Sequence, residues 1–284
     1  MTVHYDRHTP FSHPGQFSAA LRDLPADPRE LSVCVRGLIS HYRVTPNIPA
    51  EREKDRQARW VSELLKVIQS RNAAPLCQVR ALNERFVGCC RDYALLTVAA
   101  LRGHGVPARI RVGWAPYLNP DFTHDHVIAE WQGGHRWVQG DPELDPRKYR
   151  FDTMDMPPGT FRTAGETWLA FRAGKLDAAR YGMAPGLYGG PQMLRDYVLR
   201  ELAALSGHEL LLWDNWGLME VPFEQMTPQQ ITLLDAVAVA LTTQNPARWL
   251  ELSRHSELRV PRHVKTFDFQ EAYLPTDLNR THSL

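Results

Sequence analysis

The chain has 284 residues, 43% of them hydrophobic and 23% charged, with 33 Lys and Arg against 32 Asp and Glu. That length allows one large domain or two modest ones, and the composition excludes a disordered, collagen-like or coiled-coil protein. A formal net charge of +1 gives no electrostatic reason to bind nucleic acid or an anionic membrane. No basic segment near the start leads into an apolar run, and no stretch approaches the roughly 20 apolar residues that span a bilayer, so the expected location is the cytoplasm. In that reducing compartment Cys34, Cys77, Cys89 and Cys90 are expected as thiols. Adjacent Cα atoms lie ~3.8 Å apart, short of the usual disulfide range, so Cys89 and Cys90 read as separate side chains.

The first 18 residues hold prolines and histidines with little periodicity and read as an irregular lead-in. Residues 27–43 and 50–70 carry helical apolar spacing, the second with Trp60, Leu64, Leu65 and Ile68 on one stripe. The mixed charges from Glu51 to Arg59 read as a solvated helix face. From Asp92 to Leu101 the chain is apolar nearly all round and stops at Gly103 and Gly105, which predicts a buried helix. Gly88 permits a backbone turn just ahead of it, so Cys89 and Cys90 fall where the first turn begins. Residues 109–114, 127–131 and 136–138 are β-branched or aromatic runs bounded by turn residues and predict strands.

Gly133-Gly134 between the last two is a favoured hairpin turn. With those glycines as its centre, Trp131 faces Arg136, Ile128 faces Gln139, and His126 falls opposite Asp141. Directly opposed side chains share a face of the sheet, so an imidazole there can reach a carboxylate. Past a Pro-rich loop, helical patterns return at 163–173, 191–206 and 228–241, the last opened by a capping Thr227, Pro228 and Gln230. The tail from 256 reads as irregular.

A thiol at a helix N-terminus meets the positive end of the macrodipole and orphan N–H groups, which favour its thiolate. An imidazole as base, and a carboxylate to fix its tautomer, complete the minimum set for acyl transfer through a thioester. Cys90, His126 and Asp141 supply those groups. A helix-opening Cys alone is more often a small buried hydrophobe; the glycine turn, the cysteine and the His–Asp pair together favour catalysis.

The same residues resemble the transglutaminase-like superfamily. Its G-x-C-x-D-x-A helix start is matched by Gly88-Cys89-Cys90-Arg91-Asp92-Tyr93-Ala94, and its G-[IV]-P-A-R by Gly105-Val106-Pro107-Ala108-Arg109. A His opening a strand and an Asp-Pro after a Trp-containing strand follow as His126 and Trp137-Val138-Gln139-Gly140-Asp141-Pro142. The resemblance covers residues 85–145 and selects Cys90 over Cys89. It implies an α+β papain-like core, a helix packed on an antiparallel sheet, using a Cys-His-Asp triad without metal or other cofactor. Members include transamidases, peptidases, amidases and inactive relatives, so the fold does not choose the reaction. Val127 departs from the aromatic residue often found after the His. Asp92 and Arg109 match positions that look structural, and a helix-to-strand ion pair between them is expected.

The expected organisation is an N-terminal helical region (1–80), a catalytic core (81–150) and a mostly helical C-terminal region (151–284). The function expected is a cysteine-nucleophile acyl-transfer enzyme acting on a peptide or small-molecule amide or ester, with water or an amine resolving the thioester. The backbone N–H of Cys90 is one expected oxyanion donor, and His124, sharing the face of His126, is the runner-up base. Trp114, Trp213 and Trp216, with Tyr117 and Phe122, can line a substrate groove, though aromatic residues at such spacing are more often core. Two alternatives stand: a non-catalytic interaction module on the same fold, and a zinc site from Cys89, Cys90, His124 and His126, which lacks the usual C-x₂₋₄-C spacing.

Overall fold

The structure is a computed structural model that describes residues 4–270 and 272–279. Expectations for the lead-in and tail that fall on residues 1–3, 271 and 280–284 lie outside the described residues. The fold is α+β, combining helices with antiparallel sheet, and the chain divides into two compact units, each drawing on more than one segment.

The first unit holds His4–Ile110 and Val127–Pro157. Its helices are α1 (Ser18–Arg22), α2 (Pro28–Leu38), α3 (Val61–Arg71) and α4 (Cys90–Gly103). Asp27 caps α2, its Oδ1 accepting the Arg29 and Glu30 N–H groups at 2.9 and 3.0 Å, with Pro28 at the first helical position. Strand β1 (Ile39–His41) pairs in parallel with β2 (Phe86–Gly88), the segment that feeds α4. Helix α4 is buried from Cys90 to Arg102, packed by α1, α2, α3, β1 and β2, as an all-round apolar pattern requires.

The expected second helix divides. Residues Ala50–Gln57 form a 3₁₀ turn and α3 starts only at Val61. The charged run is not a solvated face: Arg52, Asp55 and Arg59 are buried. Arg52 donates to the Leu82 and Arg85 carbonyls, and the Asp55 carboxylate takes two bonds from Arg71, at 2.6 and 2.8 Å. Mixed-sign spacing does not separate residues facing water from residues whose partners come from a distant loop.

Strands β3 (Ala108–Ala115), β4 (Thr123–Gly133) and β5 (Arg136–Gly140) match the three expected runs, with β4 longer at both ends. The lead-in is tied to this unit: Tyr5 O accepts the Ala108 N–H at 3.0 Å and Arg102 Nε at 3.2 Å.

The second unit holds, among the described residues, Arg111–His126 and those from Pro158 to Asn279. Here β6 (Arg162–Thr163) pairs antiparallel with Gly113 and Trp114 of β3, and β7 (Tyr181–Gly182) pairs in parallel with Thr123 and His124 of β4. The strand order is β5-β4-β3-β6, with β7 on β4. Helices α5 (Ala164–Arg172), α6 (Gly190–Leu205) and α7 (Pro228–Thr242) fall where the pattern places them, and α7 carries the expected Thr227/Gln230 capping box.

A short α8 (Pro246–Leu252) follows. The tail is not irregular: β8 (Asp214–Asn215), β9 (His263–Phe267) and β10 (Tyr273–Asp277) form a sheet in the order β10-β9-β8. Thr266 Oγ1 donates to Asp214 Oδ1 at 2.7 Å, a partner some fifty positions away that no local pattern reveals. The Trp213-Gly217 run is thereby explained. It supplies β8, then turns at Gly217, whose φ of +54° and 2.4 Å approach of a Cβ to the Glu257 carbonyl leave room for glycine alone.

Candidate active site

The cysteine is positioned by its own flanks. Strand β2 is held on one side by β1, and the Val87 N–H donates to Asp55 Oδ2 at 3.0 Å. At Gly88 a Cβ would lie 2.5 Å from Asp92 Oδ2 and 2.8 Å from the Phe86 ring, so glycine clears the space the carboxylate occupies. Asp92 Oδ2 accepts the Cys89 N–H at 2.9 Å, the reciprocal half of a capping box in which Cys89 is the cap residue. Cys90 is therefore the first helical residue of α4, buried at 4% exposure, where N–H groups have no intrahelical acceptor. Burial pushes the Asp92 carboxyl above its ordinary range, opposed by Arg91 and the Cys89 N–H.

The expected Asp92–Arg109 ion pair does not form. Asp92 Oδ1 takes Arg91 Nη1 at 2.9 Å, and Arg109 Nε donates to Glu130 Oε2 at 2.5 Å. The Gln132 N–H to Pro107 O bond registers β4 on β3, and two residues further along each strand Arg109 and Glu130 face one another. The Arg109 guanidinium also lies 4.0 Å from the Trp137 ring centroid and 5.2 Å from that of Tyr5. Both charges are thus satisfied without spanning helix and strand.

The hairpin register is offset by two residues from the expected one. Gly133 pairs Arg136 and Ala129 pairs Gly140, so the ladder ends before Asp141, and His126 has no Asp141 opposite it in the strand pairing. The turn is centred on Gly134-His135 instead of Gly133-Gly134, with only its first central residue at positive φ (+63°), the type II′ pattern. Gly133 is needed as a strand residue because a Cβ there would lie 2.6 Å from Val138 Cγ2. A slip of two keeps every side chain on its expected face.

Asp141 is fully buried. Its N–H donates to Thr153 O at 2.7 Å, and its Oδ1 accepts the Glu143 N–H at 3.1 Å, which fixes the carboxyl in a local turn. Cys90 and Asp141 belong to the first unit; His126 belongs to the second, at the residue before the chain re-enters the first.

His126 is buried at 4% exposure, and the Tyr117 ring meets it edge-on at 6.1 Å. Alternation along β4 sends neighbouring Asp125 to the other face, where it accepts from Tyr197 OH. The Tyr197 ring packs at 4.9 Å on Trp114. Sequence reasoning missed the Asp125–Tyr197 bond and the Asp55 tether. The strand alternation of His124-Asp125-His126 was the available signal for the first; nothing local signalled the second. His124, the runner-up base, has Nδ1 3.0 Å from Met183 O and its ring on Phe122.

Of the three tryptophans expected in a groove, Trp114 is fully buried beside Tyr181 and Tyr197. Trp216 is buried and donates Nε1 to Leu258 O at 3.2 Å. Trp213 is half-buried against Phe269. Among the described residues no three His, Cys, Asp or Glu side chains are grouped to hold a metal, so Cys89, Cys90, His124 and His126 do not form the zinc set considered as an alternative. No described helix is long and apolar enough to cross a membrane.

Helix α4 of this α+β chain thus opens, buried, on a cysteine with a capping carboxylate two residues on. Residues 43–142 match the family model of the transglutaminase-like superfamily and include every residue from Gly88 to Pro142 on which the resemblance rests; that segment is a transglutaminase-like core. The superfamily is typically one of cysteine enzymes, and the match supports a cysteine-based enzyme at that level. No curated protein matches the chain. The crystal structure of a candidate cysteine protease from Cytophaga hutchinsonii is similar over 56% of this chain and 44% of that one, at 14% identity and a TM-score of 0.34. The chain thus spans less than half the length of that protein, and a likeness of this size carries nothing about activity.

Proposed function

We propose that the protein is a cysteine-nucleophile acyl-transfer enzyme acting on an amide or ester carbonyl. Cys90 attacks, with its proton taken by His126; Asp141 orients the imidazole and stabilises its cation. The carbonyl carbon becomes bonded to sulfur, the developing oxyanion is met by the Cys90 N–H, and collapse expels the amine or alcohol with the proton returned by His126. Water or an amine then resolves the thioester. The substrate class is a peptide or small-molecule amide, the alternative acceptor is an amine, and the working compartment is the cytoplasm.

The observation that carries this reading is the placement of Cys90 at the first position of α4, ahead of a reciprocal Cys89–Asp92 cap that keeps the helix start fixed without using the Cys90 side chain. Asp141 supports it by being held rigidly through Thr153 and Glu143.

The test is intact mass after incubation with a thiol-reactive acyl probe, then with candidate amides and amines. Wild type is expected to gain one acyl group that Cys90→Ala does not. Equal labelling of both would remove Cys90 from the mechanism and leave a non-catalytic interaction module on the same fold.

A further inference from the structure

Two cysteines stand outside the acyl-transfer site. Cys34 lies on α2, buried, and Cys77 is exposed in the loop between α3 and β2. Three tethers seat that loop on α2. The Arg80 N–H donates to Gly37 O at 3.2 Å. Gly37 packs on Val79, where a Cβ would meet the Val79 Cα at 3.4 Å, ordinary van der Waals contact. Cys77 Sγ lies 3.7 Å from Asp23 O, in the segment just ahead of α2.

Gly37 and Cys34 are three residues apart, hence on one face of the helix, and the Arg80 and Val79 contacts at Gly37 seat the loop that carries Cys77 against that part of α2. The loop is also stiff from within: Arg80 is buried and donates to the carbonyls of Asn72, Ala74, Pro75 and Gln78.

We infer that Cys34 and Cys77 form a reversible, intramolecular redox pair that closes to a disulfide when the protein meets a hydroperoxide. The accessible sulfur reacts first. Cys77 thiolate attacks the peroxide, the O–O bond breaks, and sulfenic acid and an alcohol or water result. The Cys34 sulfur then attacks the Cys77 sulfur, the S–OH bond breaks, and hydroxide leaves with the Cys34 proton as water. Two thiols are oxidised by two electrons and one peroxide is reduced. Burial, together with the neighbouring Cys77 thiol, pushes the Cys34 thiol up to about 12, so closure is the slower step and quickens as pH rises. A thiol reductant reverses it. The inference does not depend on the acyl-transfer reading, because neither Cys89 nor Cys90 takes part.

The experiment treats the whole chain with hydrogen peroxide, quenches free thiols with an alkylating agent, and maps peptides by mass spectrometry without reduction. A Cys34–Cys77 cross-linked peptide, about 2 Da lighter than the two free-thiol peptides together, is expected in monomeric protein and should vanish with dithiothreitol. In Cys34→Ala the sulfenic acid should persist and be trapped by dimedone at Cys77. A wild-type protein in which Cys77 runs on to sulfinic acid while Cys34 stays free, or pairs only between molecules, would overturn the inference.

Discussion

Helices α4 and α6 are each buried on nearly every side within their own unit, yet they carry their charges differently. In α4 the charges sit at the ends: Arg91 and Asp92 in the first turn, Arg102 in the last. Asp92 is taken up locally, by the Cys89 N–H and Arg91, whereas Arg91 also reaches the Arg59 carbonyl and Arg102 reaches Tyr5 O and Ser12 Oγ. In α6 the charges sit mid-helix, as Arg195, Asp196, Arg200 and Glu201. Every one of them needs a partner from elsewhere: Arg111 Nη2 for Glu201 at 2.7 Å, Tyr188 OH for Asp196, the Leu218 and Val221 carbonyls for Arg195, Asn215 for Arg200. The buried charge of Asp92, which caps a residue three positions back, can be read from local sequence. One in the middle reports a tertiary contact that local sequence does not name, and it marks where the second unit depends on specific pairing for stability.

The difference can be broken most severely at the cysteine. Cys90→Ala and His126→Ala are expected to lower turnover by about 10³-fold or more with an unchanged circular dichroism spectrum, and Asp141→Asn to lose most of the activity. Removing Glu201 comes next. Glu201→Leu strands the buried Arg111 and is expected to destabilise by about 3–5 kcal/mol in urea unfolding, whereas Arg111→Met with Glu201→Leu should recover most of that loss.

Gly88→Ala drives a methyl into the Asp92 carboxylate and should cost about 1–3 kcal/mol, with slower probe labelling at Cys90 as the second readout. Asp92→Asn keeps an acceptor for the Cys89 N–H and should cost only about 1 kcal/mol; a loss as large as that of Glu201→Leu would mean that charges at helix ends are no better tolerated than those in the middle.

The last effect is read as a slope. Burial pushes the Asp196 carboxyl to about 8, above its ordinary value of 3.8, against the pull of Arg200. The folded state therefore holds a proton that the unfolded chain has released. The resulting stabilisation is complete below about pH 4 and is lost as pH rises through about 8. Urea midpoints across that range should fall more steeply in wild type than in Asp196→Asn.

What the sequence made legible follows the same division. The boundaries of α4, its cysteine cap and the capping box of α7 are written in contiguous residues, and so is the presence of a glycine hairpin. The hairpin register was missed by two because the two glycines serve different ends: Gly134 makes the turn, and Gly133 makes room for Val138. The Arg109 partner was misassigned because a helix-to-strand pair and a cross-strand pair are equally compatible with the motif; only the register of β3 on β4 decides for Glu130. Asp55, buried inside a run that looked like solvent-facing charge, and β9, paired to a strand far upstream, left no local trace.

Tyr5 gives the lead-in a practical meaning. Its carbonyl accepts Ala108 N–H and Arg102 Nε, its ring meets Trp137 edge-on at 5.7 Å, and Ser12 takes Arg102 Nη1 at 2.9 Å. Trimming the first dozen residues, a routine step when an expression plasmid is tidied, would strip acceptors from the far end of the helix whose near end carries Cys90. Shortened versions should express as aggregated material.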